Sequence, residues 1–265
     1  MKKNIENIHK TETVQEMRSV PGIEHISNYE IMKRRMEKEF LRYDQQEMIQ
    51  KFHLLYDETY IYLDFLNRSY RVNRINGLVQ WSADQFVNTV EAGYNEAMTI
   101  YDILCNSKPD CHLAGEFVNM KSLSSIQGSS TGTGSGLFHK MEIFFDHKNR
   151  ELAQACERLN GWKAGKGDVA YEIALFEFLP LQLQFWNSDE DFGASLQLFV
   201  DKNILQYMHY ETVWFAMSHL LSRLKEEMER ALYLLQEDIP LEIVSRACPA
   251  LSTETLIKLQ KQSSI

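Results

Sequence analysis

Apolar and polar residues alternate along two runs between residues 167 and 201. An apolar residue at every second position is the period of a strand with one buried face. Residues 187–193, NSDEDFG, separate the runs and are mostly turn formers. The two runs are therefore predicted to pair as an antiparallel hairpin, with a buried face made of Leu181, Leu183, Phe185, Leu196, Leu198 and Val200.

Similar patterns predict further strands. Residues 169–179 are apolar on nearly both faces, which suits a more central strand. Pro180 has no N–H group, so we expect it at a break between strands or at a bulge. Another hairpin is predicted over residues 60–72, with its turn at Asn67 and Arg68. The Asn76-Gly77 pair marks the next turn.

Helical periodicity appears in four regions. It predicts helices over about 29–52, over 83–106, from about Leu137 to near Gly161, and over about 210–235. Ser82 is the expected N-cap of the second helix, with Gln85 completing a capping box. A short extended segment is expected at 116–123. Because strands come in runs rather than alternating singly with helices, the fold class is α+β, with an antiparallel sheet of hairpins packed against several helices.

The sequence divides into three parts. Residues 1–26 are polar and irregular, and we expect a flexible N-terminal arm. Residues 27–235 form the predicted α+β domain. Residues 236–265 follow a break at Pro240 and predict a C-terminal helical pair, about 241–247 and 253–261. The pair has the length of a helix-turn-helix, but few basic residues lie on its second helix, so docking or dimerisation is preferred.

Composition limits the class of protein. The chain has 265 residues, of which 44% are hydrophobic, enough for a sizeable core, and its net charge is -9. An acidic surface disfavours a nucleic-acid partner. The N-terminus lacks the apolar segment of a signal peptide, and no stretch is apolar enough to span a membrane, so a cytoplasmic location is predicted. No metal centre is predicted, because no Cys-x-x-Cys occurs among Cys105, Cys111, Cys156 and Cys248.

One segment, residues 167–224, resembles a family known as domain of unknown function 3786. The residues that carry the resemblance are Gly167, Asp168, Pro180, Trp186, Asp189, Glu190, Phe192, Asp201 and Asn203, followed by a leucine-rich helix ending. The resemblance is best over about 160–224 and extends from about residue 50. It implies an origin in anaerobic bacteria. Some similar proteins carry an iron–sulfur module and look linked to corrinoid or one-carbon metabolism, but this chain lacks the clustered cysteines of that module. The family supplies no established activity.

A glycine-rich stretch, residues 128–136, is one candidate binding site. Gly132, Gly134 and Gly136 precede a predicted helix, whose first turn contains His139. Backbone N–H groups and the helix dipole favour an anion at such a position. The spacing matches neither a P-loop nor a dinucleotide fingerprint. A surface loop without a ligand is the preferred interpretation, and a phosphate or carboxylate site is the alternative.

Aromatic residues of the last strands and helix are a second candidate. Trp186 and Trp214, with Phe192, Tyr207 and Phe215, could line a cavity if the sheet and helix enclose one. Core packing explains the same residues without a ligand. His219 lies on the apolar side of the helix and is predicted to be a buried histidine with a hydrogen-bond partner.

Three functions remain open from the sequence. The leading hypothesis is a domain that binds a small molecule or a partner protein without catalysis of its own. The alternatives are an accessory enzyme or cofactor-handling protein of corrinoid or one-carbon metabolism, and a regulator that contacts nucleic acid through the C-terminal helices. Catalytic residues, cofactor and oligomeric state are not indicated by the sequence. A binding protein should show a pocket with aromatic walls and a polar anchor.

Overall fold

The computed structural model describes residues 27–126 and 133–236 of the chain. The predicted N-terminal arm, most of the glycine-rich stretch and the C-terminal helical pair lie outside the described residues. The described helices are α1 (Asn28–Phe40), α2 (Gln45–Phe52), α3 (Tyr94–Asn106), α4 (Thr133–Phe145), α5 (Asn149–Arg158) and α6 (Tyr210–Gln236). The described strands are β1 (Leu55–Tyr56), β2 (Tyr60–Asp64), β3 (Ser69–Asn73), β4 (Val79–Ser82), β5 (Val90–Glu91), β6 (Phe117–Asn119), β7 (Trp162–Lys163), β8 (Val169–Phe176), β9 (Leu179–Trp186) and β10 (Ser195–Asp201).

The strands form two antiparallel sheets. The first is a meander in the order β1-β2-β3-β4-β5, and the second has the order β6-β10-β9-β8-β7. Every pair of neighbouring strands in the two sheets is antiparallel. Together with the six helices, this arrangement confirms the predicted α+β class.

The antiparallel hairpin predicted from the alternating pattern is formed by β9 and β10 in the second sheet. Phe185 pairs with Leu196 and Leu183 pairs with Leu198, so the apolar residues of β9 and β10 share one face. These residues are almost fully buried. Pro180 lies opposite Ala174, beside an irregularity in the pairing of β8 and β9. A residue without an N–H group is tolerated at such a position.

The turn between β2 and β3 joins the two sheets. Phe65 forms an isolated bridge with Phe176, and their rings stack with centroids 4.7 Å apart. The N–H of Leu66 donates to the carbonyl of Leu175 at 3.0 Å. The two sheets therefore share one hydrophobic core.

The helices cover this core. The long helix α6 packs against α3 and α5, while α5 packs on β8. Helix α4 contacts β10 and α6, and α1 contacts α3. The apolar face of α6 is buried, which confirms the amphipathic helix predicted over about 210–235; its fully buried residues are Val213, Ala216, Met217, Leu220, Leu221 and Leu224.

The predicted helix over 29–52 is wrong in one respect, because it is two helices. Asp44 interrupts the run and caps α2: its carboxylate accepts the N–H groups of Gln46 at 2.9 Å and Glu47 at 3.2 Å. Aspartate prefers this position because its side chain satisfies N–H groups that have no partner within the helix. Apolar residues recur with helical spacing in both α1 and α2, so the pattern of apolar residues does not show that the helix is interrupted between them.

The helix predicted to start after Ser82 begins instead at Tyr94. The hydroxyl of Ser82 accepts the N–H of Phe86 at 2.9 Å, and both Gln85 and Phe86 have a positive φ. Left-handed residues cannot continue a right-handed helix. The helix starts where the carboxylate of Glu96 accepts the N–H of Gly93, so the capping interaction exists eleven residues later than predicted.

Two smaller predictions also need correction. The helix expected from Leu137 to near Gly161 begins at Thr133 and is divided into α4 and α5, with a left-handed residue, His147, between them. The extended segment expected at 116–123 is the short strand β6, which continues as a 3-10 helix from Met120.

Candidate ligand-binding site

A depression of about 560 Å³ lies where the start of α3, the first half of α6 and the start of α1 meet. Its walls are aromatic: the rings of Tyr29 and Tyr94 meet edge to face at 4.9 Å, and those of Tyr94 and Phe215 meet at 5.4 Å. Trp214 completes the walls. We call this feature the α3–α6 depression. Its volume is within the range of small-molecule sites, which are usually concave and largely apolar.

Helical spacing explains how α6 contributes to the depression. Trp214 and Phe215 are followed four positions later by Ser218 and His219. Residues four apart lie one turn above each other on the same face of a helix. Two aromatic residues and two polar residues of α6 therefore line the same depression.

A hydrogen-bonded group of three side chains lies at the base of the depression. The hydroxyl of Tyr70 is 2.5 Å from Oε1 of Glu96 and 3.2 Å from Nε2 of His219. The exposed fractions are 0% for Tyr70, 8% for Glu96 and 7% for His219. Glu96 and His219 line the depression directly, while Tyr70 connects them from beneath. We call these three residues the polar floor.

The hydrogen-bond partners define where the protons lie. Glu96 accepts from Tyr70, and its second oxygen accepts the N–H of Gly93 at 2.5 Å. The Tyr70 oxygen then accepts from Nε2 of His219, which fixes the Nε2–H tautomer of the neutral imidazole. Nδ1 of His219 is then an acceptor, and it has no hydrogen-bond partner among the residues that the structure describes.

Arginine side chains balance the charge beneath the floor. Arg68 lies 3.5 Å from Oε1 of Glu96 and 2.7 Å from Glu226, and its guanidinium stacks 3.9 Å over the ring of Trp81. Arg223 also pairs with Glu226, at 2.7 Å. Burial alone would raise the pKa of Glu226, but Arg223 and Arg68 outweigh it and lower the pKa. The carboxylate of Glu226 therefore remains charged at neutral pH.

Burial keeps the two other members of the floor neutral. Desolvation lowers the pKa of His219 to about 3, and the charges of Arg68 and Arg223 act in the same direction. Desolvation, followed by the negative charge of Glu96, raises the pKa of Tyr70 well above its usual value. Tyr70 and His219 therefore keep the same donors and acceptors across the physiological pH range.

The residues predicted from the glycine-rich stretch lie elsewhere. Gly132 is outside the described residues, and Gly134 and Gly136 belong to α4. The side chain of His139 is 73% exposed, with Nδ1 3.5 Å from Glu142. Neither the α3–α6 depression nor the cavity beside Phe52 and Phe178 is lined by Gly134, Gly136 or His139, and the anion site stays a prediction.

The two predicted tryptophans are not brought together. Trp214 lines the α3–α6 depression and packs edge to face on Phe138 at 5.8 Å. Trp186 lies at the end of β9, beside Gly167. Of the other predicted aromatic residues, Phe215 joins Trp214, whereas Phe192 is 74% exposed in the turn before β10.

Tyr207, the last member of the predicted aromatic set, stacks on Phe178 at 6.3 Å and on Phe52 at 6.5 Å. Both of these phenylalanines line a different cavity, at the end of α2. The aromatic set is therefore divided among several places, and only its α6 members line the candidate site.

Sequence reasoning missed the polar floor apart from His219. The hairpin predicted over residues 60–72 contains Tyr70 on its returning strand, and the helix predicted over 83–106 contains Glu96 near its middle. One signal was present: a glutamate three positions after Gly93, at the true start of α3, is where a carboxylate caps a helix. The pairing of Glu96 with Tyr70 depends on the tertiary contact between β3 and α3, which no local pattern reports.

The polar residues that carry the family resemblance have structural roles. Asp201 is buried, and its carboxylate accepts the N–H groups of Ala114, Gly115 and Asn203 at 2.8–2.9 Å. Asp168 accepts the N–H of Asn187 at 2.7 Å. These carboxylates close loops, because each satisfies backbone donors that have no strand partner.

Gly167 has a steric role in the same region. Its φ is +129°, and a Cβ placed there would lie 2.6 Å from the carbonyl oxygen of Phe185. A side chain cannot be accommodated against backbone at that distance, so the position requires glycine.

The cysteines do not form a metal centre within residues 27–126 and 133–236, where no group of three His, Cys, Asp or Glu side chains has suitable geometry. Cys105, Cys111 and Cys156 are free thiols. Burial raises the pKa of Cys105 to about 12, and nearby Asp102 adds to the effect. A thiol that remains protonated is a poor nucleophile and a poor metal ligand.

The fold and the depression define an α+β protein with a single-core, two-sheet architecture and a candidate small-molecule site. A family model described as "Domain of unknown function (DUF3786)" matches residues 44–223, and the chain belongs to this family. The matched region contains Tyr70, Glu96, Trp214 and His219, whereas Tyr29 precedes it. No curated protein and no solved structure matches the chain. In the part of the chain that the structure describes, no helix has both the length and the apolar character to cross a membrane.

Proposed function

We propose that the chain binds a small planar molecule in the α3–α6 depression and has no catalysis of its own. The observation that supports this most strongly is the combination of aromatic walls with a buried polar floor. Aromatic rings favour a flat ligand that can stack or meet them edge to face. The acceptor Nδ1 of His219 favours a ligand with an N–H or O–H donor on its rim.

The state of the polar floor favours binding over acid–base chemistry. A general acid or base works best when its pKa is near the operating pH. The pKa of His219 is lowered to about 3 by burial, and that of Tyr70 is raised, so neither exchanges protons readily near neutrality. A floor with fixed donors and acceptors is instead suited to selecting a ligand, since a buried unpaired group lowers the affinity of a wrong one.

A matched pair of probes tests the proposal. Indole is planar and has one N–H donor, and 1-methylindole has the same rings without the donor. Affinities would be measured by the chemical shifts of backbone amides in the full chain. Indole should bind about five-fold more tightly than 1-methylindole, the effect of about one hydrogen bond to a neutral acceptor.

Two tryptophan variants make the site assignment specific. Trp214→Leu removes a wall of the depression and should weaken indole binding by at least about five-fold. Trp162→Leu is the control, since Trp162 is exposed on the edge strand β7 and does not line the depression. Equal loss of affinity in both variants, or equal affinity for the two probes, would contradict the proposal.

The remaining functional hypotheses rest on composition and resemblance. A cytoplasmic location and an anaerobic bacterial origin stay predictions, as does an accessory role in corrinoid or one-carbon metabolism. Native mass spectrometry and absorbance spectra of protein purified without oxygen would test that role. A bound corrinoid, haem or metal would support it over simple binding of a planar molecule. A partner protein and a nucleic-acid contact through residues 236–265 are proposals that concern the chain beyond the described residues.

A further inference from the structure

A second cavity, of about 300 Å³, lies at the end of α2. Strands β2 and β3 form one side of it, and the turn between β8 and β9 forms another. Five phenylalanine and tyrosine residues line it: Phe52, Tyr62, Tyr70, Phe86 and Phe178. The hydroxyl of Tyr70 belongs to the polar floor of the α3–α6 depression. Phe52 and Phe178 stack with centroids 4.2 Å apart, and Tyr62 and Phe86 lie 5.5 Å apart. We call this feature the α2 cavity. It is at the small end of the range for ligand sites.

Two carboxylates lie at the rim of the α2 cavity, whose lining also includes the imidazole of His53. Asp64 and Glu177 line it, and neither forms an ion pair with any residue that the structure describes. Asp64 accepts one hydrogen bond, from the hydroxyl of Ser69 at 2.8 Å. Arg71 is close, but it donates to Gln80 rather than to these carboxylates. Arg71 and Lys51 lie against the rings of Phe86 and Phe52, at 5.0 and 5.7 Å, but neither cation forms an ion pair with Asp64 or Glu177. The two carboxylates of the rim therefore have no ion-pair partner within residues 27–126 and 133–236.

The rings of the cavity suit a cation as well. The face of an aromatic ring carries partial negative charge and attracts ammonium and guanidinium groups. Arg71 demonstrates the effect locally, since its guanidinium lies 4.0 Å from the ring centroid of Tyr60 and 5.0 Å from that of Phe86. The hydroxyl of Tyr62 donates to Asp57 at 2.7 Å, which makes its ring more electron-rich.

The ring of Phe86 is positioned by a backbone conformation that is energetically unfavourable. Phe86 has a φ of +66°, a conformation that residues with a side chain rarely adopt. Its N–H is held by the hydroxyl of Ser82 at 2.9 Å, and the same hydroxyl donates to Asp84 at 2.7 Å. Strain of this kind persists where the surrounding structure over-determines it, and it often occurs at binding sites.

We infer that the α2 cavity binds a small organic ammonium ion, with the ammonium group between the rings of Tyr62, Phe86 and Phe178 and near the carboxylates of Asp64 and Glu177. A hard metal cation fits less well, because it requires six or more oxygen ligands and the aromatic walls supply none. The cavity volume limits the ligand to a small amine or quaternary ammonium compound. This inference is independent of the function proposed for the α3–α6 depression.

The test compares choline with its neutral isostere, 3,3-dimethyl-1-butanol, which has carbon in place of the charged nitrogen. Binding to the full chain would be followed by amide chemical shifts at residues 52–55 and 177–178. Choline should produce saturable shifts, and the isostere should bind at least about five-fold more weakly, as expected for loss of a charge near two carboxylates. Equal affinity for the two compounds, or no saturable shift with choline, would overturn the inference.

Variants of the cavity separate local recognition from overall charge. The double substitution Asp64→Asn with Glu177→Gln should weaken choline binding by at least about five-fold. The control, Glu58→Gln with Glu190→Gln, removes the same charge from exposed positions outside the cavity and should leave affinity within about two-fold. An equal loss in the control would overturn the inference, because the attraction would then be non-specific.

A third pair of variants tests the rings and the independence of the two sites. Phe86→Leu keeps an apolar side chain but removes the ring face, so choline binding should fall about two- to five-fold while the isostere changes less. An equal change for both compounds would count against the role of the ring. Trp214→Leu, which alters the α3–α6 depression, should leave choline binding unchanged. Failure of the unmodified chain to bind indole would contradict the proposed function without affecting this inference.

Discussion

The substitution His219→Gln removes a titratable group from the polar floor and keeps a donor for the hydroxyl of Tyr70. In the folded chain, burial lowers the pKa of His219 to about 3. An unfolded histidine has a pKa of about 6.5. Below about pH 6.5 the unfolded chain therefore binds a proton at this position that the folded chain does not bind. The free energy of unfolding must fall as the pH decreases from about 6.5 toward 3.

The size of this effect follows from linkage. Each pH unit below the unfolded pKa costs about 1.4 kcal/mol for one group that stays neutral in the fold. Between about pH 7.5 and about pH 5, His219 should account for a loss of about 2 kcal/mol. The figure depends little on the folded pKa, because any value well below 5 leaves the folded histidine neutral throughout this range. His219 is 7% exposed, so solvent screening reduces the effect only slightly.

Urea unfolding followed by circular dichroism at several pH values measures the effect. The unmodified chain should lose about 2 kcal/mol more stability than His219→Gln between the two pH values. His139→Gln is the matched control, because the His139 side chain is largely exposed and should leave the pH dependence unchanged. Parallel pH profiles for the unmodified chain and His219→Gln would refute the assignment of a buried, neutral histidine.

Two further changes test the packing around the site. Gly167→Ala should destabilise the chain by about 2 kcal/mol or more, because it combines a positive φ with a collision at the carbonyl of Phe185. Gly193→Ala has open space around it and should change the free energy of unfolding by less than about 0.5 kcal/mol; equal effects in urea unfolding would contradict the strand register. Cys156 is buried and burial raises its pKa, so alkylation detected by mass spectrometry should reach it only after unfolding, whereas the partly exposed Cys111 should react in the native chain.

Much of the fold could be predicted because it depends on local alternation. The β9–β10 hairpin follows directly from the period-two pattern, and the Asn76-Gly77 turn is where Gly77 has a positive φ. The start of α3 could not be predicted, because Ser82 has all the features of an N-cap. Its hydroxyl instead accepts the N–H of Phe86, which has a left-handed conformation. The ring of Phe86 packs on Tyr62 and Arg71, and these tertiary contacts favour the turn over a helix start at Ser82.

The candidate site was only partly visible in the sequence. The sequence predicts Trp214 as a possible wall of a cavity, and His219 only as a buried histidine with a hydrogen-bond partner on the same helix. Glu96 and Tyr70 come from another helix and a strand, and their hydrogen bond joins positions that are 26 residues apart. A pattern within one element cannot report a contact of this kind. The α2 cavity was missed for the same reason, since its carboxylates belong to separate hairpins.

The most direct test of the proposed site is a spectrum of the ¹⁵N-labelled histidine side chains during titration with indole. His219 should appear as the neutral Nε2–H tautomer near pH 7 and near pH 5, and its Nδ1 resonance should shift as indole binds. Trp214→Leu should reduce that shift. A His219 signal that titrates near pH 6.5, or that stays unchanged when indole saturates the chain, would contradict a ligand site built on this residue.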